Sequence, residues 1–192
     1  MWLDRVKRVY GERLDITWRH FCLEQVNSKE GDGWKVWEQP DEYKGRSILA
    51  ERASEAARRQ GDEAFRRFHM ALLTARHGPG ERIPLNETEP LARVASEAGL
   101  DLRRFLEDLK DRGLLMNVAR DHSEAVEKYG VFGTPTFVFE NSTSAYLKSF
   151  IPPEDDSVAF FEHFVALFGR RSYVGEIKRP QPPWPKGALS GA

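Results

Sequence analysis

Residues 130–139, GVFGTPTFVF, decide how this chain is read. Gly133, Thr134 and Pro135 stand directly ahead of an alternating apolar run. Proline has no N–H for a sheet ladder, so it belongs at a strand's first residue, on an edge or at a bulge. Residues 136–140 therefore read as a strand that opens beside Pro135. A polar turn of residues 141–144 follows, and residues 145–150 read as a second strand closing a hairpin. Beyond it, Phe161, Phe164, Val165 and Phe168 line one face of a helical stretch, which predicts a helix buried against a sheet.

Upstream of the hairpin the signals are different. Trp2, Leu3, Val6, Val9 and Tyr10 recur at helical spacing, and Gly11 stops that helix. Residues 14–21 alternate, with Leu14, Ile16, Trp18 and His20 on one face, and predict a strand. A turn-rich segment with Trp34 and Trp37 comes next. Residues 43–129 then carry only helical signals, in five segments. Gly61, Gly78, Gly99 and Gly113 act as stops, Asp62 as an N-cap and Asp101 as the start of a helix. Four prolines between 177 and 187 favour an extended tail.

Composition narrows the function classes. The chain has 192 residues, of which 40% are hydrophobic and 31% charged, which suits a globular protein. Its formal net charge of −1 gives no electrostatic case for nucleic acid. No apolar run approaches the roughly 18 residues of a membrane span. The first residues have no signal-peptide pattern, so the expected compartment is the cytoplasm. A single cysteine, Cys22, excludes an intrachain disulfide and agrees with a reducing compartment. His69, His77, His122 and His163 show no metal-ligand spacing, so no metal site is expected. Cys22 reads as a buried, inert thiol, with His20 two residues away as the one nearby base. Trp34, Trp37 and Tyr43 are candidates for lining a cleft, with packing against the helical segment as the equal alternative.

A helix and strand, a helical stretch, a hairpin opened by Gly-Thr-Pro and a final buried helix make most of a thioredoxin fold. The segment YGVFGTPTFVF resembles the proline segment of the DsbA-like thioredoxin family. The helical insertion between ITWRHFCL and that segment resembles the same family. Within it, the FrnE-like oxidoreductases and mycothiol-dependent nitroreductases are the most similar group, and YVGEIKRPQPPWP resembles the tail of the latter. The resemblance implies an α/β, thioredoxin-like core of residues 1–26 and 130–175, an all-helical insertion of residues 43–129 and a Pro-rich tail of residues 176–192. It implies a cis bond between Thr134 and Pro135, with main-chain groups of the preceding residue free to meet a substrate.

The resemblance also implies a first strand and a Cys-x-x-Cys at the start of the first helix. This chain has neither, and Met1, Trp2 and Leu3 map inside that helix, downstream of the motif. A strand and motif encoded upstream of Met1, a strand from a partner chain, or closure of the gap by the flanking strands would each account for this. The first is the expected one. The thiol motif is thus expected upstream of Met1 and no catalytic residue within this chain. The expected binding residues are Gly133, Thr134, Pro135, Trp34 and Trp37. The implied activity is thiol–disulfide oxidoreduction, or reduction driven by a low-molecular-weight thiol such as mycothiol or glutathione. That thiol would be a co-substrate, and no bound cofactor is expected. A protein disulfide or a small-molecule thiol is the expected partner, and open sheet edges favour a homodimer. The alternatives are a non-redox binding module and an isomerase or glutathione-transferase-like relative.

Overall fold

The structure, a computed structural model, describes residues 2–31 and 33–178. Met1 lies outside the described residues, and so does the thiol motif expected upstream of Met1. Most of the tail expected at 176–192 lies outside them as well. In chain order the helices and strands are α1 (Trp2–Tyr10), α2 (Leu23–Val26), α3 (Ile48–Arg58), α4 (Asp62–His77), α5 (Thr88–Glu97), α6 (Leu102–Asp108), α7 (Leu115–Tyr129), β1 (Thr136–Val138), β2 (Ser144–Tyr146) and α8 (Ser157–Phe164). The described chain divides into two compact units, one of residues 2–18 and 126–178, the other of residues 19–125.

The first unit is built on the β1–β2 hairpin and on α1 and α8. Phe137 pairs with Ala145 in antiparallel register, and Leu147 N–H extends the ladder by donating to Pro135 C=O at 3.1 Å. Ser142 takes a positive φ of 64° to turn the chain between the strands. Apolar faces of α1 and α8 meet through rings: Trp2 lies 5.0 Å from Phe160 and 6.3 Å from Phe137, centroid to centroid. Phe164, buried, packs edge-on against Phe137 at 4.8 Å. Such aromatic contacts add about 0.5–1.5 kcal/mol each beyond the area they bury. Polar ties flank them. Tyr10 OH donates to Glu162 Oε1 at 2.5 Å, and Arg5 donates to Pro152 C=O at 3.1 Å. After Phe164 the helix continues as a π-helical turn, Val165–Gly169. There Gly169 lies against the Phe139 ring, where a Cβ would meet Cδ1 at 3.0 Å.

The second unit is helical. The small side chains Ala50, Ala53, Ala56 and Ala57 of α3 are buried and let its neighbours approach closely. Phe68 of α4 and Phe105 of α6, both fully buried, meet at 5.4 Å in the same core. Full burial of each ring contributes about 1.5–3 kcal/mol. Asp101 accepts a hydrogen bond from Arg104 N–H and so caps α6. Asp62 does not cap α4: the N-cap is Gly61, at φ 105°, and Asp62 is the first helical residue. Its carboxylate there still favours the positive end of the helix. A remote carboxylate caps α3. Glu24 accepts from Ser47 N–H at 2.9 Å, Arg46 N–H at 2.8 Å and Ile48 N–H at 3.3 Å.

The strand expected at residues 14–21 does not form. The backbone is extended at both ends of the run, at Leu14 (φ −118°, ψ 108°) and Cys22 (φ −77°, ψ 99°), but the sheet among the described residues has only β1 and β2. A strand needs a neighbour to complete its ladder, and alternation alone does not supply one. Side chains take over part of that role. Lys7 donates to Leu14 C=O at 2.5 Å, His20 N–H donates to Asp121 Oδ2 at 3.2 Å and Cys22 N–H donates to His122 Nδ1 at 3.1 Å.

Candidate functional site

Thr134 and Pro135 line a groove of about 360 Å³ in the first unit, together with Trp2, Tyr146, Leu147 and Phe150. The walls come from three places in the sequence: the first residue of α1, the lead into β1, and β2 with the chain that leaves it. Thr134 and Pro135 are exposed, and the bond between them is cis. Among the described residues, Thr134 N–H and C=O make no hydrogen bond, so both remain available to a ligand. Gly133 C=O is already engaged: Thr136 Oγ1 donates to it at 2.6 Å, which fixes the turn into β1.

Gly133 serves a steric need. A Cβ there would lie 3.2 Å from Cε2 of Tyr146, so a larger residue would make that ring give by a few tenths of an ångström. The Tyr146 ring also packs on Phe132 at 5.0 Å, and Phe132 is 68% exposed. An exposed aromatic pair beside free main-chain polar groups suits an extended ligand, which needs both hydrogen bonds and apolar cover. Trp2 and Tyr146 do not stand out in the sequence. Trp2 reads as one more core residue of an amphipathic helix, and the outward face of a short strand marks Tyr146 only once the register is known.

Trp34 and Trp37 occupy the helical unit. Both pack against a small core of Cys22, Val36, Leu115 and Val118. The Trp37 ring lies 5.3 Å from His122, and the Trp34 ring meets Tyr43 edge-on at 5.9 Å. Gln25 ties this loop down by donating to Trp34 C=O at 3.0 Å and accepting from Val36 N–H at 2.9 Å.

Cys22 is fully buried in that core. Burial first, and then the charge of Glu51 beside it, push the thiol's pKa well above its ordinary value, so the reactive thiolate is suppressed. His20 Nε2 instead meets Glu55 Oε1 at 3.0 Å, and its Nδ1 lies 3.8 Å from Glu51 Oε2. Glu55 also accepts from Arg58 Nε at 2.9 Å and Asn117 Nδ2 at 2.8 Å. Burial pushes the Glu55 carboxyl up, but the hydrogen bonds from His20, Arg58 and Asn117 outweigh it and hold the pKa at about 2. Glu55 thus ties residues 20, 58 and 117 into one hydrogen-bonded network beside a buried cysteine. His69 is kept neutral mainly by burial, at a pKa of about 4, and His163 is exposed on α8. Among the described residues, no group of three or more His, Cys, Asp or Glu side chains is arranged to hold a metal ion. No helix among them is long and apolar enough to cross a membrane.

Part of the chain is similar to a sodium/proton antiporter, NhaA, of Herminiimonas arsenicoxydans, at 38% identity over 92 residues. That similarity spans 48% of this chain and 13% of the antiporter, so it concerns one segment of a much longer protein. A family match covers far more of the chain, from α1 through the hairpin and into the turn that follows α8. Over residues 2–165 the sequence matches the DSBA-like thioredoxin domain, and the chain belongs to that family.

Proposed function

We propose that this chain is the ligand-holding part of a thiol–disulfide oxidoreductase, or of a reductase that draws on a low-molecular-weight thiol, in the FrnE-like group of its family. Membership of the DSBA-like family supports oxidoreductase chemistry of the thiol–disulfide type. The observation that carries the reading is the pair of unengaged main-chain groups of Thr134, set beside the apolar groove of Trp2, Pro135 and Tyr146. An extended substrate segment pairs with Thr134 and lays an apolar residue against the rings. Gly133, Thr134 and Pro135 are the binding residues of this proposal. Trp34 and Trp37 have a structural role.

The reacting thiol is not Cys22, which is buried and held protonated. A second thiol, on a motif upstream of Met1 in this proposal, attacks as its thiolate on one sulfur of the substrate disulfide. A new S–S bond forms, the old one breaks, and the displaced sulfur leaves as a thiolate that takes up a proton. A further thiol repeats the exchange and releases the reduced substrate. Mycothiol or glutathione has the chemistry for this role. The same buried cysteine favours a second reading, a binding module that presents the groove without redox turnover.

Insulin reduction by dithiothreitol tests the assignment of Cys22. The chain should leave the rate at its uncatalysed value, and Cys22→Ser should change nothing. Turnover well above that value and lost in Cys22→Ser would overturn the assignment.

A further inference from the structure

The helical unit contains a cavity of about 600 Å³ that the groove chemistry does not use. Ligand pockets for small organic molecules span about 300–1,000 Å³, so this one is large enough for such a molecule. Its apolar wall includes Val36, Ile48, Leu49 and Leu115. Its polar wall includes two arginines, Arg52 of α3 and Arg112, which precedes α7. Both reach the same carboxylate oxygen: Asp41 Oδ1 accepts from Arg52 Nη1 at 2.8 Å and from Arg112 Nη1 at 2.7 Å.

Arg112 donates its Nη2 to Gln39 C=O, whereas Arg52 underuses its donors. A guanidinium presents a planar fork that matches both oxygens of a carboxylate at once. Here two guanidiniums share one oxygen of a single carboxylate. Arg52 is largely buried, and its Nε is a buried donor with no hydrogen-bond partner among the described residues. Leaving such a donor unmet is costly. Asp41, by contrast, has a side chain 54% exposed, sits between Pro40 and Glu42, and is tethered by its own main chain. The two guanidiniums hold its carboxyl below the ordinary carboxylate range, which marks the local field as anion-favouring. Glu42 and Glu87 also line the cavity, but among the described residues neither forms an ion pair with the arginines.

We propose that this cavity binds a small monocarboxylic acid with an apolar body, whose carboxylate displaces Asp41 from Arg52 and Arg112. A free carboxylate can adopt the two-oxygen fork that the tethered Asp41 does not. The apolar body lies against Ile48 and Leu49, which are partly exposed in the cavity wall. Asp41 acts as an internal stand-in that keeps the two positive charges compensated when the cavity is empty.

Calorimetric titration of the full chain with 4-phenylbutyrate, and separately with 4-phenylbutyramide, tests this. The acid should bind and the amide should not. Arg52→Gln and Arg112→Gln should each weaken the acid by about tenfold or more, the loss expected for one charge-assisted hydrogen bond. Asp41→Asn removes the internal competitor and should tighten binding. That gain separates the proposal from simple loss of folding, which would weaken every ligand; circular dichroism of each variant checks the fold directly. Equal binding of acid and amide, no binding of the acid at millimolar concentration, or weaker binding to Asp41→Asn would each overturn it. None of these outcomes bears on the Thr134 groove, which belongs to the other unit.

Discussion

Position 133 and the Tyr146 ring are in direct steric contact: a Cβ on Gly133 would meet Cε2 at 3.2 Å. Gly133→Val should therefore push the ring out of the groove wall and destabilise the protein by about 1–3 kcal/mol, as overpacking does. In a Tyr146→Ala background the same change should cost much less, because the clash has gone. Chemical denaturation of the two single variants and the double variant measures this coupling. Additive effects would contradict the contact.

The Glu55 network predicts an acid-sensitive helical unit. Its carboxyl, ordinarily at 4.5, is held at about 2 in the folded chain. A depressed carboxylate pKa stabilises the fold above the ordinary value, and the gain is lost as pH falls through the folded value. Stability should therefore drop between about pH 4.5 and 2. Glu55→Gln should flatten that drop and cost about 1–3 kcal/mol at pH 7, since it replaces a charged acceptor for Arg58 and Asn117 by a neutral one. Urea denaturation across this range checks both effects.

Glu24 caps α3 from a distant part of the sequence. Burial raises its pKa, but donation from Ser47, Arg46, Tyr43 and Ile48 carries it below the ordinary value. Glu24→Ala should cost about 1 kcal/mol, the typical loss of an N-cap. Hydrogen exchange should show the first turn of α3 opening more readily in the variant, while α4 to α6 keep their protection.

Cys22 should resist alkylation. Iodoacetamide at pH 8 should label it at a small fraction of the rate seen in denaturant, because burial and Glu51 keep the thiol protonated. Mass spectrometry of the native and denatured chain supplies the comparison. Equal labelling of the two would show that the thiol is accessible.

Much of the helical unit is legible in the sequence because its signals are local. Gly61 and Asp101 fix helix ends through φ or a cap made within three residues, and the stripe from Phe65 to Leu72 reports a buried face directly. The hairpin is legible for the same reason, since Pro135 and the alternation that follows it act within one strand. Residues 14–21 are not. Their alternation is real, but a ladder is a property of two strands, and side chains such as Asp121 and His122 meet this backbone instead. The groove is half visible. Gly133, Thr134 and Pro135 are adjacent in sequence, whereas Trp2 and Tyr146 reach them only through folding. Glu24 as a cap and Arg52 with Arg112 on Asp41 are invisible for the same reason: their partners lie 11 to 71 residues away.

The most direct test of the account maps where an extended ligand sits. A short peptide carrying an oxidised disulfide, titrated into the isotope-labelled chain, should shift the amide resonances of Gly133, Thr134, Tyr146 and Leu147 before any others. Shifts confined to other residues, or none at millimolar peptide, would contradict a groove built around Thr134.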